Sequence, residues 1–164
     1  MKDNIININL ETSTSPTVAE VRGRDWIEYG TEDWRNLYPQ FLIDLYYSSS
    51  ISAAIINSTA EMIAGEALII EDEDDRDLDA RIKLQNFMNR ANGNESLHEV
   101  IKKLAFDFKL QGGFALNIVW SKDRTQIAEI YHLDVSKLRC ARPNEFGKTP
   151  GYYISADWSN TRQN

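Results

Sequence analysis

The sequence predicts an α+β fold in which helical hairpins pack on a small antiparallel β-sheet. Apolar residues recur at helical spacing through the first part of the chain, and a capping box opens the clearest of these segments. After Gly113 the spacing of apolar residues changes to every second position, which is typical of strands. Helices followed by strands, rather than a mixture of the two, indicate the α+β class.

Length and composition fit one globular domain. The chain has 164 residues, of which 42% are hydrophobic, enough to build a single core. Its 18 basic and 25 acidic residues give a net charge of −7, which disfavours binding of nucleic acid by charge alone. The single cysteine, Cys140, cannot form an intramolecular disulfide, and this fits a reducing compartment.

Residues 1–24 are predicted to be a flexible N-terminal arm. Residues 11–21 are mostly small, polar and turn-prone, so no burial offsets the entropy lost on ordering them. The first ten residues alternate Ile and Asn without the basic start or cleavage site of a signal peptide. No run of 18 apolar residues occurs, so we expect no membrane span and no membrane partner.

Two helices are predicted next. The first contains Tyr38, Phe41 and Leu45 at helical spacing, with Glu32 and Asp33 placed where a helix N-terminus favours negative charge. Serines 48–50 end it and supply the N-cap of a second helix, which stops at Gly65. The second helix carries apolar or β-branched residues on one face: Ile51, Ile55, Thr59, Met62 and Ile63. Residues 67–70 are apolar and rich in β-branching, which predicts a short buried strand.

An acidic run and a further helical hairpin follow. Residues 71–79 contain seven carboxylates, which must stay solvated, so this segment is predicted to be a loop or helix start and not a metal site. A third helix over 79–91 ends at Asn92 and Gly93. Ser96 and Glu99 form the capping box of a fourth helix that stops at Gly112. We expect the third and fourth helices to pair.

The last third of the chain predicts strands. Residues 114–133 form a β-hairpin around a polar turn at 121–124. Two further strands, over 137–141 and 152–155, flank a turn that contains Asn144 and Gly147. The chain stops just after the last strand without a closing helix, so we expect it to be part of a longer protein.

Patterns for metal, nucleotide or cofactor chemistry are missing from the sequence. The two histidines, His98 and His132, lack the spacing of a zinc site, and no glycine-rich phosphate loop precedes a helix. We therefore assign no catalytic residue, no metal and no cofactor. His98 is predicted to lie at the surface of a helix. A minor alternative is a hydrolase in which Asp134 orients His132 and Cys140 is the nucleophile, although sequence alone does not bring the cysteine to the histidine.

Basic residues and aromatics are interleaved in the strand region, which keeps a nucleic-acid interface open as a second alternative. The candidate nucleic-acid-binding residues are Lys137, Arg139 and Arg142. Strand aromatics more often form core than stacking surface, so this pattern is weak.

Two blocks of residues resemble a known family. The first contains Tyr29-Gly30, Asn-Leu-Tyr-Pro-Gln at 36–40, Leu-Ile-Asp-Leu-Tyr at 42–46, Ser50, Ile-Ile-Asn at 55–57 and Ile-Ala-Gly at 63–65. The second contains Lys-Leu-Gln-Gly-Gly-Phe-Ala at 109–115 and Ile-Ala-Glu-Ile-Tyr-His-Leu-Asp at 127–134. Together they resemble the N-terminal wing region of portal proteins of tailed bacteriophages, over about residues 25–158.

The resemblance implies a structural protein and not an enzyme. Portal subunits form a homo-oligomeric ring of about twelve copies at one capsid vertex, the head-tail connector through which DNA is packaged and ejected. The implied partners are the terminase, the head-tail adaptor, the major capsid or scaffold protein, and double-stranded DNA in the channel. The implied location is the virion, after assembly in the host cytoplasm. Residues 25–164 would be the wing-like α+β region, with the stem, tunnel loop, clip and crown beyond Asn164. The runner-up is a free-standing phage-encoded nucleic-acid-binding or nuclease-like domain.

Overall fold

The computed structural model describes residues 25–29, 36–71 and 78–159. These ranges contain four helices: α1 (Tyr38–Ser48), α2 (Ser50–Ala64), α3 (Leu78–Asn89) and α4 (Leu97–Gln111). They also contain four strands: β1 (Ala115–Trp120), β2 (Ile127–Leu133), β3 (Leu138–Cys140) and β4 (Tyr152–Ile154). A 3-10 turn, Val135–Lys137, joins β2 to β3. The predicted α+β class is confirmed. The predicted arm, the acidic side chains at 32–33 and most of the acidic run lie outside the described residues.

The boundaries of α1 and α2 follow the local sequence. Pro39 lies in the first turn of α1, where its missing N–H costs no helical hydrogen bond. The hydroxyl of Ser49 accepts a hydrogen bond from the Ser52 N–H at 3.2 Å, which caps α2 as predicted. Gly65 then ends α2 with a φ of 70°, a conformation that glycine adopts without steric cost.

The packed side of α2 is not the apolar side that its sequence predicts. Ala60 and Ala64 are the buried residues of the helix, whose main partner is α4. Ile51, Ile55 and Met62 lie on the opposite side and are 73%, 57% and 82% exposed. We call these three residues the α2 apolar face. Small side chains let two helices approach closely, so α4 packs on the alanines and leaves the larger residues in solvent.

The strand predicted at 67–70 is wrong. These residues have no strand assignment, and Ile69 is 83% exposed. A strand needs a hydrogen-bonded neighbour, and the sheets in the described part of the chain pair only the four later strands with one another. Apolar composition was therefore a poor guide to burial in this segment.

The predicted capping box of α4 is confirmed. The Ser96 hydroxyl accepts from the Glu99 N–H at 3.2 Å, and the Glu99 carboxylate accepts from the Ser96 N–H at 2.7 Å. Gly112 ends the helix in the left-handed conformation, with φ 77°. Helices α3 and α4 do touch, but α4 packs more extensively on α2, and no residue of α3 is buried.

The four strands form two separate antiparallel ladders rather than one sheet. Strand β1 pairs with β2 through the predicted hairpin, with a register irregularity at Val119 and Trp120. Strand β3 pairs with β4, and the turn between them is organised by Asn144, whose side-chain oxygen accepts from two backbone N–H groups. Trp26 forms a β-bridge with Ala141, so the first described residues run along the end of β3. None of the helices in the described ranges has the length and apolar character needed to cross a bilayer.

Candidate functional site

Three parts of the fold meet at one junction. They are the N-terminal half of α1, the last two turns of α4, and the end of β2 with the 3-10 turn that follows it. An open groove of about 470 Å³ runs between α1 and α4 at this junction. Polar and aromatic side chains line it, including Tyr46, Lys102, Lys103, Asp107, His132 and Asp134. His132 and Asp134 both line the groove.

The carboxylate that holds His132 is Asp107. The His132 Nε2 atom lies 2.7 Å from Asp107 Oδ2, and the two side chains are only 19% and 10% exposed. The same carboxylate oxygen accepts a longer hydrogen bond, 3.4 Å, from the Val135 N–H. Asp107 therefore ties α4 both to the end of β2 and to the start of the 3-10 turn.

Sequence reasoning missed Asp107, although one signal was present. The residue lies seven positions after Val100 and three after Leu104, on the side of α4 that carries the apolar stripe. An acidic residue in an apolar stripe must be paired when it is buried, because an unpaired buried charge is costly. His132 was the available partner.

Asp134 does not orient His132 as predicted. Its Oδ1 atom accepts hydrogen bonds from the Ser136 N–H at 2.9 Å and the Ser136 hydroxyl at 2.7 Å, and so caps the 3-10 turn. Partial burial acts to raise the pKa of Asp134, but the Ser136 hydrogen bonds and the charge of Lys137 outweigh it, and the net shift is downward. The prediction failed because β2 ends at Leu133, so the alternation of a strand no longer applies to Asp134.

Cys140 and His132 have different bonding partners. Its Sγ atom lies 3.4 Å from the Tyr29 hydroxyl, whereas the imidazole of His132 bonds to Asp107. Burial, together with the Cys140 contact, raises the pKa of Tyr29 to about 12. The described residues therefore do not form the His132, Asp134 and Cys140 arrangement that a hydrolase would need.

Arg139 is buried inside the junction and not displayed to solvent. The residue is 0% exposed, and its guanidinium donates to Asn36 Oδ1 at 2.7 Å and to the carbonyl oxygens of Asn36 and Ser136 at 2.6 and 2.9 Å. The rings of Tyr29 and Trp158 lie 4.7 and 4.8 Å from its central carbon. Desolvation lowers the pKa of Arg139 to about 10. A side chain enclosed in this way is not available to a phosphate, which disfavours the candidate role of Arg139 in a nucleic-acid interface.

The other two candidate nucleic-acid-binding residues do not share a surface with Arg139. Lys137 is exposed, and its ammonium lies 3.5 Å from a carboxylate oxygen of Asp134. Arg142 is half-buried, and its backbone N–H donates to the Asp25 carbonyl at 3.0 Å. Exposed and half-buried charges on either side of a buried one do not make a basic stripe of the kind that tracks a phosphate backbone.

His98 lies in the first turn of α4, as the sequence predicts, and it has a structural contact. Its Nε2 atom lies 3.0 Å from the carbonyl oxygen of Gly65, so the start of α4 is joined to the end of α2. No group of three or more potential metal-ligating side chains occurs among the residues that the structure describes.

Long-range hydrogen bonds hold the junction together. The Gln111 side chain donates to the carbonyl oxygen of Pro39 at 3.1 Å, and the Gln40 side chain donates to the carbonyl oxygen of Ser136 at 3.3 Å. These bonds join α4 and the 3-10 turn to the first turn of α1. The arrangement can fix the relative positions of these helices and strands.

Comparison with known proteins adds no relative. A scan of protein-family models and searches of curated proteins and of solved structures found no match to this chain.

Proposed function

We propose that this chain is the wing part of a portal subunit of a tailed bacteriophage. In this role it is a structural element of a homo-oligomeric ring at a capsid vertex, and the wider ring, its channel and its docking partners follow from the resemblance in sequence. The observation that carries the proposal is a contact between the two resembling blocks: Gln111 in the second block bonds to Pro39 in the first, across 72 positions.

The location of the resembling residues supports a structural role. Asn36, Pro39 and Gln40 lie at the start of α1, and each makes a hydrogen bond that joins α1 to α4, β3 or the 3-10 turn. Hydrogen bonds between elements that are far apart in the sequence fix how those elements pack, which fits a structural role.

Exposed apolar surface supports assembly into a larger particle. The α2 apolar face lies in solvent, and a second apolar patch is formed by Phe108 and Phe114, which are 51% and 57% exposed. Exposed large apolar side chains that cluster on one element are typical of surfaces that another protein covers. A ring of identical subunits provides such a cover.

The test begins with the DNA that follows the codon for Asn164. We expect the reading frame to continue for several hundred codons and to encode long helices for a stem. The complete product is then expressed, and its particles are examined by negative-stain electron microscopy and sedimentation velocity. Rings of about twelve subunits support the proposal.

Two results would overturn it. One is a stop codon directly after Asn164, since a wing region does not make a portal by itself. The other is a complete product that stays monomeric over the concentrations at which rings are sought. A binding assay with double-stranded DNA at low salt distinguishes the runner-up function from the portal proposal. A nucleic-acid-binding domain would bind DNA as an isolated chain and lose binding as salt increases.

A further inference from the structure

Strand β1 has an open edge in the part of the chain that the structure describes. It pairs with β2 alone. The far edge of β2 is covered, because the Ile130 N–H donates to the Ala91 carbonyl at 2.9 Å and the Ile130 carbonyl accepts from the Asn92 side chain at 2.9 Å. Among the described residues, the turn before α4 therefore hydrogen-bonds to the outer edge of β2, whereas the outer edge of β1 has no hydrogen-bonded neighbour strand.

The register identifies the backbone groups at this edge. Ile130 turns both its N–H and its C=O away from β1, and Ile118 is its partner across the ladder. In an antiparallel pair, two opposed residues direct their backbone N–H and C=O groups either both toward each other or both away. The backbone groups of Ile118 therefore also point away from β2, and so do those of Leu116 two residues earlier. The backbone N–H and C=O of Asn117 point toward β2, where Tyr131 is the opposed residue.

The open edge has none of the usual protection against strand addition over most of its length. Its sequence, Ala-Leu-Asn-Ile-Val-Trp, contains no charged residue and no proline. Leu116, Ile118 and Trp120 are 37%, 41% and 53% exposed. The irregularity at the Val119–Trp120 step affects one end only. An apolar edge of this kind is a template for another strand.

The same chain carries a matching segment. Residues 5–10, which lie outside the described ranges, read Ile-Ile-Asn-Ile-Asn-Leu. In an extended conformation Ile6, Ile8 and Leu10 share one face and the two asparagines share the other. Strand β1 repeats this pattern, with Leu116, Ile118 and Trp120 on one face and Asn117 on the other. Pairing would place apolar side chains beside one another on the first face, and on the second face one asparagine beside Asn117, with Ala115 and Val119 as the other residues of that face.

We propose that residues 5–10 add to the open edge of β1 in their own chain, as a third strand of the hairpin sheet. The fourteen residues at 11–24 span up to about 46 Å when extended. A compact chain of this size has a radius of gyration of about 14 Å, so a tether of this length spans a large part of its surface. Tethering also gives it an effective concentration in the millimolar range, which favours the same chain over a neighbour. This inference is independent of the portal proposal.

Residue-resolved hydrogen exchange tests the third strand in the complete chain. We expect the outward amides of Leu116 and Ile118 to be protected in the wild type. The double variant Ile6→Lys with Ile8→Lys should speed their exchange at least tenfold and leave the inward Asn117 amide protected. The matched control is Thr12→Lys with Thr14→Lys, which adds the same charge outside residues 5–10 and should change neither rate. Equal exchange rates at Leu116 and Ile118 in all three proteins would overturn the proposal. An equal loss of protection at the Asn117 amide in the double variant would also overturn it, because it would mean that the whole hairpin opens.

Disulfide trapping tests which chain supplies the strand. In a Cys140→Ser background, Asn117→Cys is combined in turn with Asn7→Cys and Asn9→Cys, and with Thr14→Cys as the control. We expect at least one of the first two pairs to oxidise within a single chain at every protein concentration, because paired strand residues have the Cα separation that a disulfide requires. Disulfide-linked dimers alone would overturn the own-chain assignment, and the absence of a disulfide at both positions would overturn the strand.

Discussion

The guanidinium of Arg139 holds two oxygen atoms of Asn36, its side-chain Oδ1 at 2.7 Å and its main-chain carbonyl at 2.6 Å. Asn36 is able to present both because it adopts a left-handed conformation, φ 67°, which asparagine tolerates better than most residues. Its Oδ1 atom also accepts from the Tyr29 N–H at 2.9 Å. One buried cation therefore fixes the segment before α1 against β3.

Replacing Arg139 with methionine should destabilise the protein by about 2–4 kcal/mol, because the variant leaves several buried carbonyl oxygens without a donor. Urea denaturation followed by circular dichroism measures the loss. The control is Lys122→Met, an exposed residue of the hairpin turn, which should change the free energy of unfolding by less than about 0.5 kcal/mol. Equal stability of the two variants would contradict the structural role of Arg139.

The pair of Asp107 and His132 should contribute measurable coupling. We expect Asp107→Ala to cost about 1–3 kcal/mol of unfolding free energy, since it leaves His132 and the Val135 N–H without their acceptor. A double-mutant cycle with His132→Ala should give a coupling energy of at least about 0.5 kcal/mol. Additive effects would show that the 2.7 Å contact contributes nothing to stability.

The capping box predicts how stability changes with acid. The Ser96 N–H and the Ser96 hydroxyl both donate to the Glu99 carboxylate and hold the pKa of Glu99 below its usual range, so the unfolded chain binds more protons than the folded one as the pH falls, and Ser96→Ala removes the hydroxyl's share. The stabilisation is present above the ordinary carboxylate pKa and is lost as the pH drops through the lowered one. Ser96→Ala should lower stability at neutral pH by about 0.5–2 kcal/mol and weaken the pH dependence between neutral and acidic solution. Urea midpoints across that range are the measurement, and parallel curves for the two proteins would contradict it.

Tyr29 should titrate separately from the other tyrosines. Burial, with the Cys140 contact, raises its pKa to about 12, so in the folded protein its phenolate should form about two pH units above the ordinary value. Absorbance at the phenolate band measures this titration. Tyr29→Phe should remove one late-titrating phenolate and leave the other six tyrosines unaffected, including Tyr131, whose pKa is also raised by its hydrogen bond to Glu129. A single transition near the ordinary pKa while the protein is still folded would contradict the prediction.

The α2 apolar face should matter for assembly and not for folding. Ile55→Lys with Met62→Lys changes exposed positions, so unfolding free energy should move by less than about 0.5 kcal/mol. In the complete subunit the same variant should reduce ring formation at least tenfold by sedimentation, if this face is covered by a neighbour. Gln126→Lys, in the exposed hairpin turn, is the control and should form rings normally. Normal rings from the first variant would remove α2 from the contact surface.

Local signals in the sequence predicted local structure well. Ser49, Ser96 and Gly112 act through residues three or four positions away, so each helix boundary could be inferred from its own neighbourhood. The hairpin was predicted for the same reason, because alternation and a polar turn need no distant partner.

Long-range pairing could not be predicted in this way. Arg139 looked like an exposed cation because its partner, Asn36, lies 103 positions earlier. Asp134 was placed beside His132 on the assumption that the strand continues, whereas Asp107, 25 positions away, fills that role. The sequence therefore did not predict those partners of the candidate-site residues that depend on packing between distant elements. The resemblance to portal proteins stays a prediction.

The distance along the chain between Asn36 and Arg139 has a consequence for synthesis on the ribosome. Helix α4 contacts both α2 and β2, and β2 pairs with β1, so these contacts can form as soon as residue 133 has emerged. The segment that contains Asn36 is made early, but its anchor at Arg139 and the Trp158 ring beside it are made more than a hundred residues later. The segment that contains Asn36 is therefore synthesised before α1 but is fixed only after Arg139 and Trp158 have left the ribosome, which is later than the helices that follow it.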